Sequence, residues 1–193
     1  MRKIKLFIAM SLDGYIADSH GGVDWLHGHG EDSEDIDSYS EFVKEIDTVV
    51  MGYHTYHQII TELSPEEWVY RDFKTYVMTH RKLKSVEGIM FTDDNPVSLV
   101  KRLSKEYGKD IWICGGAHLV QQLAGEDLID QYYISVIPTL LGSGIRLFGE
   151  VQKEIKLRLV KTQVYNGITD LVYERRLKDK YDFDGNLIEV KTP

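Results

Sequence analysis

The sequence predicts an α/β fold in three layers: a mixed, mainly parallel sheet with helices on both faces, closed by an antiparallel C-terminal hairpin. Three observations predict it. Short apolar runs without a solvent-facing alternation stand ahead of helical patterns at Leu6–Met10, Val49–Met51 and Ile111–Cys114, as strands buried on both faces do. These runs alternate with helical segments as far as Leu123, which is the order that covers a parallel sheet. Beyond about residue 131 the helical pattern stops. Asn166-Gly167 then separates two β-rich runs, and both residues tolerate the positive φ of a type I′ hairpin turn.

Taken in order, residues 3–10 read as a buried first strand. The stretch from Ser11 to about Asp32 is rich in Gly, His and Asp and long for a loop in a compact domain, a length more often functional than decorative. Ser33 offers an N-cap to a helix running to about Glu45, with acids in its first turn and Ile36, Tyr39, Phe42, Val43 and Ile46 at helical spacing. Thr48–Met51 is a second strand, ended by Gly52, and a short helix is expected from Tyr53 to Thr61. Ser64-Pro65-Glu66-Glu67 signals a further helix start, with Pro at its first position. Strands follow at about 75–79 and 89–92, then a helix from Pro96 to Tyr107 capped near Gly108. Ile111–Cys114 is the next strand, and Gly115-Gly116 leads into a helix through Leu123. Strands near 131–137, 156–165 and 168–177 complete the sheet. Residues 1–178 make one domain; 179–193 form a polar tail, either a short hairpin at Asp184-Gly185 or a loose extension.

The 193 residues suit one hydrophobic core. With 42% hydrophobic and 28% charged residues the balance is that of a globular protein, neither disordered nor membrane-embedded. A net charge of -8 argues against a generic nucleic-acid binder. An anionic cofactor is still compatible, because backbone amides and a few local cations bind phosphate whatever the global charge. The basic beginning Met1-Arg2-Lys3 runs into a short apolar stretch without a cleavage-like site, and no stretch approaches the roughly 20 apolar residues of a spanning helix. The lone Cys114 excludes an internal disulfide. A cytoplasmic protein acting on small molecules, with neither nucleic acid nor membrane as partner, is expected.

In such a sheet ligands gather beyond the carboxyl ends of the parallel strands, so four segments carry the most weight: 9–17, 49–56, 76–82 and 111–119. The second and fourth each join a buried strand, a glycine and a following helix, which presents unpaired amides and a positive dipole end to an anion. Two such corners could bracket one pyrophosphate. The third adds Thr79, His80 and Arg81, and a guanidinium suits a 2′-phosphate. Each has a blander reading alone: a tight strand-to-helix turn at Gly115-Gly116, a structural turn at Gly52, a solvated charge at Arg81. Their joint occurrence is the signal. No G-x-G-x-x-G fingerprint is present, so an ordinary Rossmann domain is not indicated.

These segments in this order resemble the dihydrofolate reductase superfamily, especially the branch holding the RibD C-terminal reductase domain of riboflavin biosynthesis. The likeness spans roughly residues 3–177 and rests on Ser11-Leu12-Asp13-Gly14-Tyr15-Ile16-Ala17, Val50-Met51-Gly52-Tyr53-His54-Thr55, Ile113-Cys114-Gly115-Gly116 and the run from Pro138 to Phe148. It implies a mixed eight-stranded sheet with NADPH across the strand ends, and a homodimer. Ala9 and Ile16 match positions at the nicotinamide end; Gly52, His54 and Thr55 match the first phosphate turn, and Tyr53 between them is expected at the cofactor as well. Gly115, Gly116, Ala117 and His118 match the second, while Thr79 and Arg81 fall around the adenosine 2′-phosphate; the neighbouring Leu119 and His80 are expected to line the cofactor too.

The chain also departs from its relatives. Tyr53 stands where dihydrofolate reductase carries Arg, and no acidic residue is assignable to that enzyme's substrate carboxylate. Phe7 replaces the Lys of the riboflavin branch, whose Asp-Pro stretch is missing after Tyr56. The differences favour a stand-alone NADPH-dependent reductase of changed substrate preference, acting on a small heterocycle, carbonyl or imine. The alternatives are a dihydrofolate or pterin reductase, a non-catalytic NADP(H) sensor, and a purely structural subunit.

For substrate handling the expected residues are Asp24 as proton donor or anchor and Ser135 at a hydroxyl-bearing family position. Asp13, Trp25, Pro138, Gly142 and Gly144 complete the expected substrate side. Each again has a plainer reading: Asp13 shaping its turn with Gly14, Trp25 as core packing, Gly142-Ser143-Gly144 as a connection. His27 and His29 near Glu31 and Asp32 lack a diagnostic metal spacing, and Cys114 reads as a small buried residue at a strand end, so no metal is expected.

Overall fold

The computed structural model describes residues 1–30, 38–149 and 154–176. One eight-stranded sheet organises it. In chain order the elements are β1 (Ile4–Ser11), β2 (Tyr15–Ala17), α1 (Ser38–Val43), β3 (Ile46–Gly52), α2 (Tyr53–Gln58), a π-helical turn (Ile59–Leu63), β4 (Lys74–Met78), β5 (Ile89–Thr92), α3 (Pro96–Leu103), β6 (Asp110–Gly115), α4 (Ala117–Gly125), β7 (Gln131–Ile137), β8 (Ile145–Arg146), β9 (Leu157–Tyr165) and β10 (Ile168–Arg175). The large sheet runs β5-β4-β3-β6-β1-β7-β10-β9, and β2 pairs β8 in a small second sheet. From β5 to β7 every pairing is parallel; β10 joins β7 antiparallel, and β9 closes the edge as a hairpin with β10.

Helices cover both faces. On one, Leu99, Val100 and Leu103 of α3 and Leu119, Val120 and Leu123 of α4 pack on Leu6, Val50, Ile113 and Ile134. On the other, Phe42 of α1 and Ile59 of the π-helical turn pack on Val49, Met51, Val77 and Trp112. The central strand is β1, flanked by β6 and β7, which accounts for its unbroken apolar centre. Asn166 and Gly167 both take positive φ, 46° and 74°, as the hairpin signal requires.

Several boundaries differ from the sequence expectation. Ile46 opens β3 instead of closing the first helix, which ends at Val43; the Ser33 cap and Ile36 lie outside the described residues. The helix after Gly52 gives way to the π-helical turn at Ile59. No helix follows Ser64-Pro65: the hydroxyl of Ser64 donates to the carbonyl of Glu67 at 2.9 Å, and Trp68 instead packs against Tyr56 and Tyr70. Aromatic burial outweighs a local cap there. The third helix stops at Leu103, short of Tyr107, which is fully exposed. The β2–β8 pair was not expected, and residues 177–193, with Asp184-Gly185, lie outside the described residues.

Candidate functional site

A cleft of about 1530 Å³ opens at the carboxyl ends of the parallel strands. Gly52 ends β3 and Gly115 ends β6, adjacent parallel strands, so two strand-to-helix corners stand side by side. A Cβ placed on Gly52 would lie 3.7 Å from the amide nitrogen of Gly116 and 3.9 Å from the carbonyl oxygen of Gly115. The hydroxyl of Thr55, one turn into α2, lies 3.4 Å from where a Cβ on Gly116 would be. Gly115 adopts φ +130°, open to glycine and costly for any other residue, and is joined to Gly116 by a cis peptide. The first amides of α4 lie at this corner and lack intrahelical acceptors, as at any helix start.

Every residue expected to hold the cofactor lines this one cleft: Ala9 and Ile16, Gly52 to Thr55, Thr79 to Arg81, and Gly115 to Leu119. At the β4 end, the guanidinium of Arg81 lies over the Tyr53 ring, 4.6 Å from its centroid, and the amide of Arg81 donates to the hydroxyl of Thr79 at 3.1 Å. Tyr53, the departure noted in the first phosphate turn, thus supports a cation supplied from the next strand. The side chain of Gln122 sits 3.0 Å from His118 Nδ1. A fifth segment also contributes: Thr92, Asp93, Asp94, Asn95 and Pro96, beyond β5. Its signal was in the sequence, where Asn95 caps a Pro-started helix immediately after a strand. Phe7, Tyr39, Tyr70, Trp112 and Cys114 supply an aromatic and apolar wall. Burial pushes the Cys114 thiol up to about 11, against a hydrogen bond to Tyr70 that lowers it, so it has little thiolate character at neutral pH.

The residues expected on the substrate side are not among those lining the cleft. Asp24 is exposed. Trp25 turns its indole N–H back to the carbonyl of Gly22 at 3.2 Å, so it braces the loop. Pro138, Gly142 and Gly144 are exposed connections after β7. Ser135 is buried on β7 and donates to Asp170 Oδ1 at 2.6 Å. Among the described residues no cluster of three or more His, Cys, Asp or Glu is arranged to hold a metal ion, and no helix is long and apolar enough to cross a membrane.

Asp13 pins the connection after β7. It accepts from Ser11 at 2.6 Å and from the amides of Leu141 and Gly142 at 3.1 and 2.7 Å. The Ser11 hydroxyl first, outweighing partial desolvation, and then the Gly142 and Leu141 amides lower its carboxyl to about 2. A folded-state pKa below the unfolded value stabilises fully above the ordinary aspartate range, near ~3.9, and the contribution fades as pH falls through about 2. The stability difference between wild type and Asp13→Asn, followed by urea unfolding, is therefore expected to be constant above pH ~4 and to shrink toward pH ~2. A difference that stays flat over that interval contradicts the assignment.

The fold, with its paired glycine corners at the mouth of the cleft, defines the class as a dihydrofolate reductase-like protein. Its family follows from comparison: the model of the RibD C-terminal domain matches residues 2–171, and the chain belongs to that family. It is 40% identical over 180 residues to uncharacterized protein YwjB of Bacillus subtilis (strain 168), covering 90% of this chain and 98% of the relative. Among solved structures, a candidate riboflavin biosynthesis protein from Shewanella sp. PV-4 superposes with a TM-score of 0.77 at 29% identity, over 91% of this chain and 99% of the other. Two more remote structures share the fold. One is the diaminohydroxyphosphoribosylaminopyrimidine deaminase/5-amino-6-(5-phosphoribosylamino)uracil reductase of Thermotoga maritima, with TM-score 0.65, 14% identity, and 91% of this chain on 57% of the other. The other is Enterococcus faecalis dihydrofolate reductase complexed with NADP(H), with TM-score 0.61, 18% identity, and 90% of this chain on 96% of the other.

Proposed function

We propose that the protein is an NADPH-dependent reductase that transfers hydride to a small heterocyclic, carbonyl or imine substrate. The observation that carries the reading is the contact between the Gly52 and Gly115-Gly116 corners. A side chain at Gly52 would enter the gap between them, and backbone amides at helix starts are the groups that grip a diphosphate. NADPH, when bound, supplies the hydride. The chain's own residues do the rest: Gly52, Thr55 and Gly116 would hold the diphosphate, Arg81 and Thr79 the 2′-phosphate. The apolar wall of Phe7, Tyr39 and Trp112 would exclude water from the reacting end and orient a planar ring against it.

The first experiment is calorimetric titration with NADPH and NADH, followed by a screen for NADPH oxidation with pterins, flavin precursors and carbonyl compounds. Reproducible oxidation of one class supports the reductase; tight binding without turnover anywhere in the panel supports a sensor instead. Arg81→Ala is expected to weaken NADPH about tenfold to a hundredfold while NADH changes little, since a charge-assisted contact to phosphate contributes roughly 1.5–3 kcal/mol. An unchanged NADPH-to-NADH ratio removes Arg81 from the 2′-phosphate.

A further inference from the structure

The cleft is short of fixed cations. Among the described residues that line it, Arg81 is the only arginine or lysine, although the ligand proposed for it carries a 2′-phosphate besides its diphosphate. One guanidinium therefore has to tell a phosphate on the ribose from a hydroxyl. Arg81 is exposed, and a free arginine side chain spreads over many rotamers that must be given up when it grips an anion. How well it discriminates depends on what holds it in place beforehand.

The fold holds it twice. Gly52 and Met78 are register partners at the ends of β3 and β4, so the chain leaves both strands side by side. On the β4 side Thr79 fixes the backbone: its amide donates to the carbonyl of Thr92 at 2.8 Å, and its hydroxyl accepts from the amide of Arg81 at 3.1 Å. On the β3 side the first residue of α2 is Tyr53, and the Arg81 guanidinium stands 4.6 Å from the centroid of its ring. That ring is itself packed against the next turn of the helix, 6.1 Å from the ring of Tyr56 and 5.7 Å from that of His57. Of the acids lining this end of the cleft, Asp94 pairs with Arg102 at 3.1 Å, and no carboxylate among the described residues pairs with Arg81. The choice of an aromatic neighbour matters, because a ring face orients a guanidinium without neutralising it, whereas a carboxylate would cancel the charge that a phosphate needs.

We propose that Tyr53 is a positioning residue for cofactor selectivity: through the face of its ring, not its hydroxyl, it holds Arg81 ready for a 2′-phosphate and so sets a preference for NADPH over NADH. The inference rests on the reading of the cleft given above and adds to it the residue through which Arg81 acts. A phosphate-bearing ligand meets a guanidinium that is already ordered, and ordering one long side chain in advance is worth roughly threefold to tenfold in affinity.

The test is calorimetric titration of NADPH and NADH against wild type, Tyr53→Phe and Tyr53→Leu, the last also combined with Arg81→Ala. Tyr53→Phe keeps the ring and is expected to keep the wild-type ratio of the two affinities. Tyr53→Leu removes the ring face, so NADPH is expected to weaken about threefold to tenfold while NADH is unchanged. In the Arg81→Ala background the same substitution is expected to do nothing further to NADPH, because no guanidinium is left to hold. NADH serves as the control for folding, since a damaged cleft loses both cofactors. An equal loss of both in folded Tyr53→Leu places the ring against a part they share and overturns the proposal. So does an unchanged ratio in Tyr53→Leu, a ratio lost in Tyr53→Phe, or a Tyr53→Leu effect that persists in full without Arg81. Wild type that binds neither cofactor, or both alike, overturns the NADPH reading itself. Should Tyr53→Leu not fold, Tyr53→Met, which also lacks a ring and suits a helix, takes its place in the same comparison.

Discussion

Gly52→Val is expected to leave the protein folded and to weaken NADPH binding roughly a hundredfold or more, equivalent to about 2.7 kcal/mol. The two halves of this expectation have separate causes. Gly52 has φ -78° and ψ 157°, ordinary extended backbone that a β-branched residue adopts readily at the end of a strand. A Cβ there meets its nearest neighbours, Gly116 N and Gly115 O, at 3.7 and 3.9 Å, which is normal contact, so the fold has no reason to reject it. The valine methyls, however, occupy the gap between the two glycine corners and block the amides from a diphosphate. Gly52→Ala should show a smaller loss in the same direction. A thermal unfolding curve matching wild type together with calorimetric loss of NADPH is the expected pair of results. Undiminished binding by Gly52→Val means that the diphosphate does not lie between these corners.

Gly144→Ala is expected to act on stability instead, lowering it by about 3 kcal/mol and Tm by roughly 6–12 °C. Gly144 takes φ +143°, and a Cβ on it would fall 2.2 Å from the carbonyl oxygen of Ala17 and 3.1 Å from the backbone of Asp18. Both neighbours are backbone, so nothing flexible can yield. The close approach brings β8 against β2, where Ile145 pairs with Ala17 and Arg146 with Tyr15. The guanidinium of Arg146 lies over the Tyr15 ring at 4.6 Å, and the amide of Leu147 donates to the carbonyl of Gly14 at 2.9 Å. Leu147 itself is fully buried in the larger core cluster, so separating the two short strands disturbs the packing beneath them. A shift in Tm below roughly 2 °C shows that the segment rearranges without cost.

The contrast between these glycines marks where sequence reasoning reached its limit. Gly52 and Gly115-Gly116 were legible because each ends an apolar run and begins a helical one, a local pattern that repeats in the chain. Gly144 was expected on the substrate side or else as part of a simple connection, because its reason for being glycine is the carbonyl of Ala17, far away in sequence. The cation at the β4 end shows the same division. Arg81 could be chosen from its place after a strand, but its support on the Tyr53 ring requires β3 and β4 to be neighbours.

The substrate side was the harder half for a related reason. Attention to residues just after parallel strands finds the residues that line the cleft, and it passes over the buried Asp170, which lies within an antiparallel strand. Ser135 was expected near the substrate, and the structure ties it to that carboxylate by a hydrogen bond spanning 35 residues of chain. Asp24 and Trp25 had only their position in a long polar loop to recommend them, and neither lines the cleft.

By itself the sequence determined the α/β class, the hairpin at Asn166-Gly167 and the glycine corners, because apolar periodicity and positive-φ turns are properties of neighbouring residues. Tertiary structure alone decided that the corners touch, that the β2–β8 pair forms and that Asp170 is buried with one oxygen unpaired. Those facts depend on which strands lie side by side, and strand order is settled by long-range packing that no short window of sequence contains.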